Sequence, residues 1–171
     1  EALADGLHQR QGAVDPGLGG EVAEADLEDA RGERKAAAVL HDVAEVSESE
    51  IACFVVTDEG GIEKAHFFSE EFNRFYSLMP TERAPTMLLA GFPMHRIKGT
   101  DPHQDTLSKI RAIAPATGRV LDTTTGLGYT AIAAAKTAAE LITIELDSTV
   151  LELCRLNSWS QELFTNPKII Q

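Results

Sequence analysis

The chain has 171 residues, 43% hydrophobic and 25% charged, which suits one packed domain, or one and a part, and excludes a collagen-like or wholly disordered polymer. No apolar run reaches the roughly 18 residues of a membrane span, and Glu1-Ala2-Leu3-Ala4-Asp5 lacks the basic and apolar regions of a secretion signal. A net charge of −12 weighs against non-specific binding to nucleic acid or anionic membranes.

The acidity is uneven. Residues 1–50 hold thirteen acids against four bases, while residues 51–171 hold fourteen against eleven and could still form a basic cleft. Residues 1–50 contain no aromatic residue, and Asp15-Pro16-Gly17-Leu18-Gly19-Gly20 is a loop by its turn chemistry. Residues 21–46 are good helix formers with a weak, mostly alanine stripe, so we expect a marginal helix or disorder there. A solvated charged face is the simplest role for this segment.

Residues 51–99 change character. Ile51–Val56 reads as a buried strand and Asp58-Glu59-Gly60-Gly61 as a turn, with Ile62–Phe68, Phe72–Met79 and Thr86–Phe92 as further strands. This is a small antiparallel β-unit whose core we expect to include Phe72, Phe75 and Tyr76.

Residues 100–171 carry the clearest pattern. Asp101 caps a helix with Pro102 at its first position, Leu107, Ile110 and Ile113 recur at helical spacing, and Pro115 ends it. Gly118–Asp122 is a strand, Gly126–Ala139 a helix and Leu141–Glu145 a second strand. Asp147 or Ser148 caps a helix through Leu156, and Lys168-Ile169-Ile170 opens a third strand. Alternating βαβαβ demands a parallel sheet with crossover helices, so the fold class is α/β, the N-terminal half of a Rossmann-like sheet preceded by the antiparallel unit. The chain has no initiator Met and stops as the third strand begins, so it reads as a fragment of a longer protein.

The chemistry sits in Val120–Ala131. An apolar strand ends on an acid, Asp122, and runs through Gly126-Leu127-Gly128 into an alanine-rich helix. Glycines let the backbone turn sharply and approach a ligand at the carboxyl ends of the strands. A second acid, Glu145, follows Gly126 by nineteen positions, and its carboxylate can accept both hydroxyl protons of a ribose. Gly126-x-Gly128-x-x-Ala131 also satisfies the dinucleotide fingerprint. Asp122 discriminates: a carboxylate there repels a phosphate but suits a cation. S-adenosylmethionine has an ammonium, a sulfonium and no phosphate, and is therefore the expected cofactor.

The stretch Leu121-Asp122-Thr123-x-Thr125-Gly126-Leu127-Gly128-Tyr129-Thr130-Ala131, with Ile144-Glu145-Leu146-Asp147, resembles the first two motifs of the Rossmann-like (class I) S-adenosylmethionine-dependent methyltransferases. It is similar to a narrower group, the predicted archaeal-type methyltransferases related to the spermidine synthase fold. The similarity extends to Met94-His95-Arg96-x-Lys98-Gly99-x-Asp101-Pro102 and Leu156-Asn157-Ser158-Trp159-Ser160, covering roughly residues 70–171. Thr124 stands where the general pattern has glycine, and Ser158 departs from the Asn-Pro-Trp-Ser form.

The resemblance implies cofactor contacts from eight positions. Asp122 would lie near the methionine amino group. Thr124, Gly126 and Gly128 would form the loop, with Leu127 and Tyr129 beside it. Glu145 would hold the ribose, and Leu146 would flank the adenine. Methyl transfer to an unidentified acceptor is the implied reaction, with DNA, RNA, protein and small molecules all open as acceptors. Aminopropyl transfer to a polyamine is the alternative on the same fold. A non-catalytic module, its acidic segment recruiting a basic partner, is the alternative of another class. No general base is readable.

Several residues stand outside this scheme. His95, Arg96, Lys98, Asp101 and His103 cluster ahead of the first helix, as a charged connector or as a cofactor lid touching the acceptor. The spacing of His95, Asp101 and His103 matches no zinc pattern, and no metal is expected. Tyr129 would stack on a cofactor or cover its helix, and Trp159 would anchor a core or an interface. The two cysteines, Cys53 and Cys154, form no CxxC and read as small buried hydrophobes in a reducing cytoplasm, the expected location.

Overall fold

A computed structural model describes residues 43–44, 46–57 and 60–171, which belong to the unit Asp42–Gln171. Of the marginal helix or disorder expected over residues 21–46, Val43, Ala44 and Val46 are described and are helical, and the rest lies outside the described residues. No helix among them is long and apolar enough to cross a membrane.

The β-unit comprises two antiparallel sheets. Strands β1 (Phe54–Val56) and β2 (Ile62–Lys64) pair with each other. Strands β3 (His66–Ser69), β4 (Arg74–Met79), β5 (Thr86–Leu89) and β6 (Phe92–Pro93) form a four-stranded meander in chain order. The single strand expected over Ile62–Phe68 is broken at Ala65. Its N–H donates to Cys53 O at 2.8 Å while its carbonyl accepts from Leu78 N at 2.9 Å, so buried Ala65 passes the chain from one sheet to the other. Strand β1 is half-buried rather than buried, with Ile51 and Val56 exposed.

Two more expected strands are shorter than the apolar pattern suggested. Phe72 lies in the turn before β4, where Asn73 takes a φ of 48°. Thr86–Phe92 is a hairpin, because Ala90 and Gly91 have φ of 47° and 85° and form a two-residue turn of the primed kind. Alanine is a poor left-handed residue, so the sequence hid that turn. Of the three aromatics assigned to the core, Tyr76 is buried at 4% exposure, Phe72 is half-buried and Phe75 is exposed. Alternation along β4 turns Tyr76 and Leu78 inward and Phe75 outward.

The second half follows βαβαβ order. Helix α1 (Pro102–Ile113) starts on the Asp101 carboxylate, whose Oδ1 accepts from His103 N at 2.9 Å and Gln104 N at 3.1 Å. It ends where Ala114, preceding Pro115, becomes extended. Strands β7 (Arg119–Asp122), β8 (Glu140–Thr143) and β9 (Ile169–Ile170) form a parallel sheet in that order. Helices α2 (Tyr129–Ala135) and α3 (Ser148–Leu156) make the crossovers. A 3₁₀ turn (Ser158–Ser160) and helix α4 (Glu162–Thr165) precede β9. The helix expected from Gly126 starts only at Tyr129, because Gly126 and Gly128 have positive φ.

Small side chains let α2 lie close on the sheet: Ala131, Ala134 and Ala135 are buried with Leu141 and Ile169. Lys168 Nζ donates to the carbonyls of Ala135 and Ala138 at 3.3 and 3.1 Å, satisfying the C-terminal end of α2. Leu121, Ile142 and Ile170 stand in register on the other face of the sheet, where Leu121 and Ile170 are exposed.

One buried carboxylate ties the two halves. Asp147 caps α3 through Thr149 N at 3.0 Å and accepts a 2.9 Å hydrogen bond from Tyr76 Oη on β4. Burial alone would raise its pKa, but hydrogen bonds from Ser69, Thr149 and Tyr76 outweigh burial and hold it below the usual carboxylate range. With the native pKa below the unfolded value, this stabilisation is present above the unfolded pKa and is lost as pH falls through the native one. Tyr76→Phe should therefore cost about 1.5–3 kcal/mol in urea unfolding at pH 7. Repeated at acid pH, the same titrations should show the deficit shrinking as Asp147 protonates.

Candidate functional site

The carboxyl ends of β7 and β8 meet at the loop Thr125–Gly128. A tight buried loop must account for its backbone polar groups. Here three side chains from later in the chain satisfy groups that the loop's own turn leaves open. Glu145 Oε2 accepts from Gly126 N at 2.9 Å. Cys154 Sγ on α3 donates to Gly126 O at 3.1 Å. Ser160 Oγ in the 3₁₀ turn donates to Leu127 O at 2.7 Å. Within the backbone, Thr125 N donates to Ile144 O at 2.9 Å and Gly128 N to Thr125 O at 2.8 Å.

The two glycines serve different ends. Gly126 has φ +51° and open space where a Cβ would point. Gly128 has φ +75°, and a Cβ there would come within 2.3 Å of Leu163 Cδ1 on α4. Positive φ disfavours a side chain at both, but packing closes off Gly128 alone.

Behind the loop lies a polar chain. Thr125 Oγ1 and Thr143 Oγ1 share a buried 2.7 Å hydrogen bond, and Thr143 Oγ1 lies 3.3 Å from Asp122 Oδ2. Asp122 ends β7 half-buried. Burial, and secondarily the charge of Glu145, push its carboxyl above the usual range, while hydrogen bonds from Thr124 and Thr143 pull the other way. Glu145 Oε1 meanwhile accepts from Leu146 N at 2.9 Å and Asp147 N at 3.4 Å. Its carboxylate has about four acceptor positions, and loop and turn N–H groups use three of them.

A cleft of about 340 Å³ opens between this loop and the β-unit. Thr124, Gly126, Leu127, Gly128, Tyr129 and Glu145 line it. Asp122 lies outside that lining, as does Leu146, which is 80% exposed. Leu127, at 1% exposure, is part of the core. Tyr129 is buried, and its hydroxyl donates to Pro85 O and accepts from Asn157 Nδ2, both at 2.8 Å.

The β-unit contributes Arg74, Met87, Met94 and His95 to the lining, and α1 contributes Lys109. Thr86, fully buried on β5, places its Oγ1 3.0 Å from His95 Nδ1 and 3.3 Å from His95 N. The imidazole lies against the Tyr129 ring at 5.4 Å. Burial first, then Lys109, lowers its pKa, and Asp105 offsets part of this.

The charged cluster around His95 divides its tasks. Asp101 caps α1 and lies 3.8 Å from Arg83, His103 packs on Trp159 at 5.1 Å, and Arg96 and Lys98 are exposed. Trp159 is 42% exposed and so is no core anchor. Sequence reasoning noted Asn157 and Ser160 without finding their work. Asn157 Oδ1 caps the 3₁₀ turn through Trp159 N at 3.2 Å, and Nδ2 joins Tyr129 to Ser160 Oγ. Cys154 is buried, with its thiol pushed up to about 12 chiefly by that burial, and Cys53 is half-buried with a raised pKa from the same cause.

No family model matches the chain. It is 50% identical over 93 residues to an uncharacterized protein of Methanocaldococcus jannaschii, a match covering 54% of this chain and 32% of that protein. The chain thus matches about a third of the length of this curated relative. Among solved structures, wild-type Trm5b from Pyrococcus abyssi superposes with a TM-score of 0.35 at 16% identity, over 70% of this chain and 34% of that one.

Substitutions should separate loop from packing. Gly126→Ala should cost about 1–2 kcal/mol for the left-handed backbone alone. Gly128→Ala adds an overpacking penalty and should cost about 2–5 kcal/mol in chemical unfolding. Ser160→Ala removes the donor to Leu127 O and a partner of Asn157, and should cost about 1–3 kcal/mol by the same measurement.

Proposed function

We propose that this region binds S-adenosylmethionine at the Thr124–Gly128 loop and, in the protein to which it belongs, directs transfer of its methyl group to an acceptor. The supporting observation is the occupant of the Gly126 N–H. In a loop that seats a pyrophosphate, backbone N–H groups at the helix N-terminus point at the anion. Here a carboxylate, Glu145, already accepts from that N–H, and a second, Asp122, stands at the end of β7 with its pKa raised by burial and by Glu145. A phosphate would add repulsion to both acids, whereas an ammonium and a sulfonium relieve it.

S-adenosylmethionine supplies a methyl group activated on a sulfonium sulfur. The chain's contribution is orientation and charge. Asp122 attracts the ammonium, Glu145 has one acceptor position left for a ribose hydroxyl, and open space at Gly126 admits the ligand to the backbone. Positioning of the reactants supplies much of the acceleration in such displacements, up to about 7–11 kcal/mol. The acceptor lies in the cleft between the loop and the β-unit.

Titration calorimetry with S-adenosylmethionine and, in parallel, NAD checks this reading. Saturable binding of the sulfonium ligand alone is expected. Asp122→Asn and Glu145→Ala should each weaken it about 10- to 100-fold, with unfolding curves confirming that both variants fold. Because the cation needs Asp122 ionised, affinity should fall on acidification through a pKa above the usual carboxylate range, and Asp122→Asn should lack that limb. Binding of NAD alone would sink the proposal.

A further inference from the structure

We propose that His95 is the general base of the site, taking a proton from an N–H or O–H acceptor held in the cleft, an inference that rests on the S-adenosylmethionine reading. Three independent features support it. His95 lines the same cleft as the glycine loop and Glu145. Its ring is fixed on two sides, by Thr86 Oγ1 at Nδ1 and by the Tyr129 ring. Its other nitrogen, Nε2, has no hydrogen-bond partner among the described residues.

The Thr86 hydroxyl sets the tautomer. Its Oγ1 has three neighbours: the His95 N–H, His95 Nδ1 and the Met87 carbonyl at 3.4 Å. One arrangement uses all three. The hydroxyl proton goes to Met87 O, and the two lone pairs accept from His95 N–H and Nδ1–H. Nε2 is then the basic nitrogen. The same arrangement survives protonation, since Nδ1–H continues to donate when the ring becomes an imidazolium. Thr86 thus acts as a positioning residue.

Burial first, and then the charges around the ring, favour its neutral form. Lys109 and Asp105 approach from α1, Arg74 from β4, Tyr129 from α2, and Glu145 from beyond β8, with Arg96 adjacent in sequence. Burial and Lys109 dominate over Asp105, so the imidazole holds its proton more weakly than a free one. The step balances simply. Nε2 takes the acceptor's proton, the freed lone pair forms the bond to the methyl carbon, and the carbon–sulfur bond breaks with its electrons going to sulfur. S-adenosylhomocysteine, the methylated acceptor and a protonated His95 result.

The test is nuclear magnetic resonance of the nitrogen-labelled chain, titrated from pH 5 to 8 with and without saturating S-adenosylmethionine. The expected wild-type pattern is the Nδ1–H tautomer with a midpoint below the ordinary histidine value. A bound cation in the same cleft should lower that midpoint further, by about half a pH unit. Thr86→Val should erode the tautomer preference, and His95→Gln should retain S-adenosylmethionine affinity within about threefold, since the base faces the acceptor and not the cofactor. An Nε2–H tautomer, a midpoint unmoved by bound ligand, or a tenfold loss of affinity in His95→Gln would overturn the assignment. Absence of S-adenosylmethionine binding in calorimetry would instead overturn the reading beneath it.

Discussion

The hydrogen bonding of the Thr125–Gly128 loop constrains everything around it. Its turn is too tight to satisfy all its own backbone groups, and it is too enclosed to leave them to water. Glu145 from the β8–α3 connection, Cys154 from α3 and Ser160 from the 3₁₀ turn supply the missing partners. Each unmet group would cost about 1–3 kcal/mol, so the loop takes this shape only when the β8–α3 connection, α3 and the 3₁₀ turn are all in place. Asn157 extends the dependence by joining Ser160 to Tyr129, whose hydroxyl reaches Pro85 in the β-unit. The site is therefore a product of the folded unit and not of the glycine motif alone.

The same hydrogen bonds decide which chemistry the loop suits. A glycine-rich turn before a helix is a ready seat for anions, but only while its N–H groups are free. Once Glu145 accepts from Gly126, the local field is negative, and Asp122 reinforces it. Across the cleft the β-unit contributes an imidazole and two methionines. The Glu145 carboxylate thus shares the cleft with His95 and with the cations Arg74 and Lys109, a mixture of acid and base beside which an acceptor can lose a proton to the imidazole.

Elements whose cause is local were legible from the sequence. Asp101-Pro102 marks the start of α1 through a side-chain cap and a fixed φ, and Pro115 marks its end. The parallel sheet followed from the alternation of short apolar runs with helical segments. The errors arose where a local preference was overridden. Ala90 adopts a left-handed turn that its side chain disfavours. Ala65 divides the segment Ile62–Phe68 because its two backbone polar groups bond to different neighbours. Phe75 falls on the outer side of β4 because alternation, not hydrophobicity, assigns the face.

The sequence by itself determined the α/β order, the place of Asp122 at the end of β7 and the cap of α1, while it left the α3 cap open between Asp147 and Ser148 and ran β8 two residues too far, to Glu145. Each depends on residues near one another in the chain. Only the tertiary structure decided what those residues do. Glu145 turns back to hold Gly126, Gly128 is required by Leu163 thirty-five positions on, and Thr86 orients His95 across a hairpin. These are through-space relations between segments whose spacing carries no periodic signal, and they exist only once burial has brought the segments together.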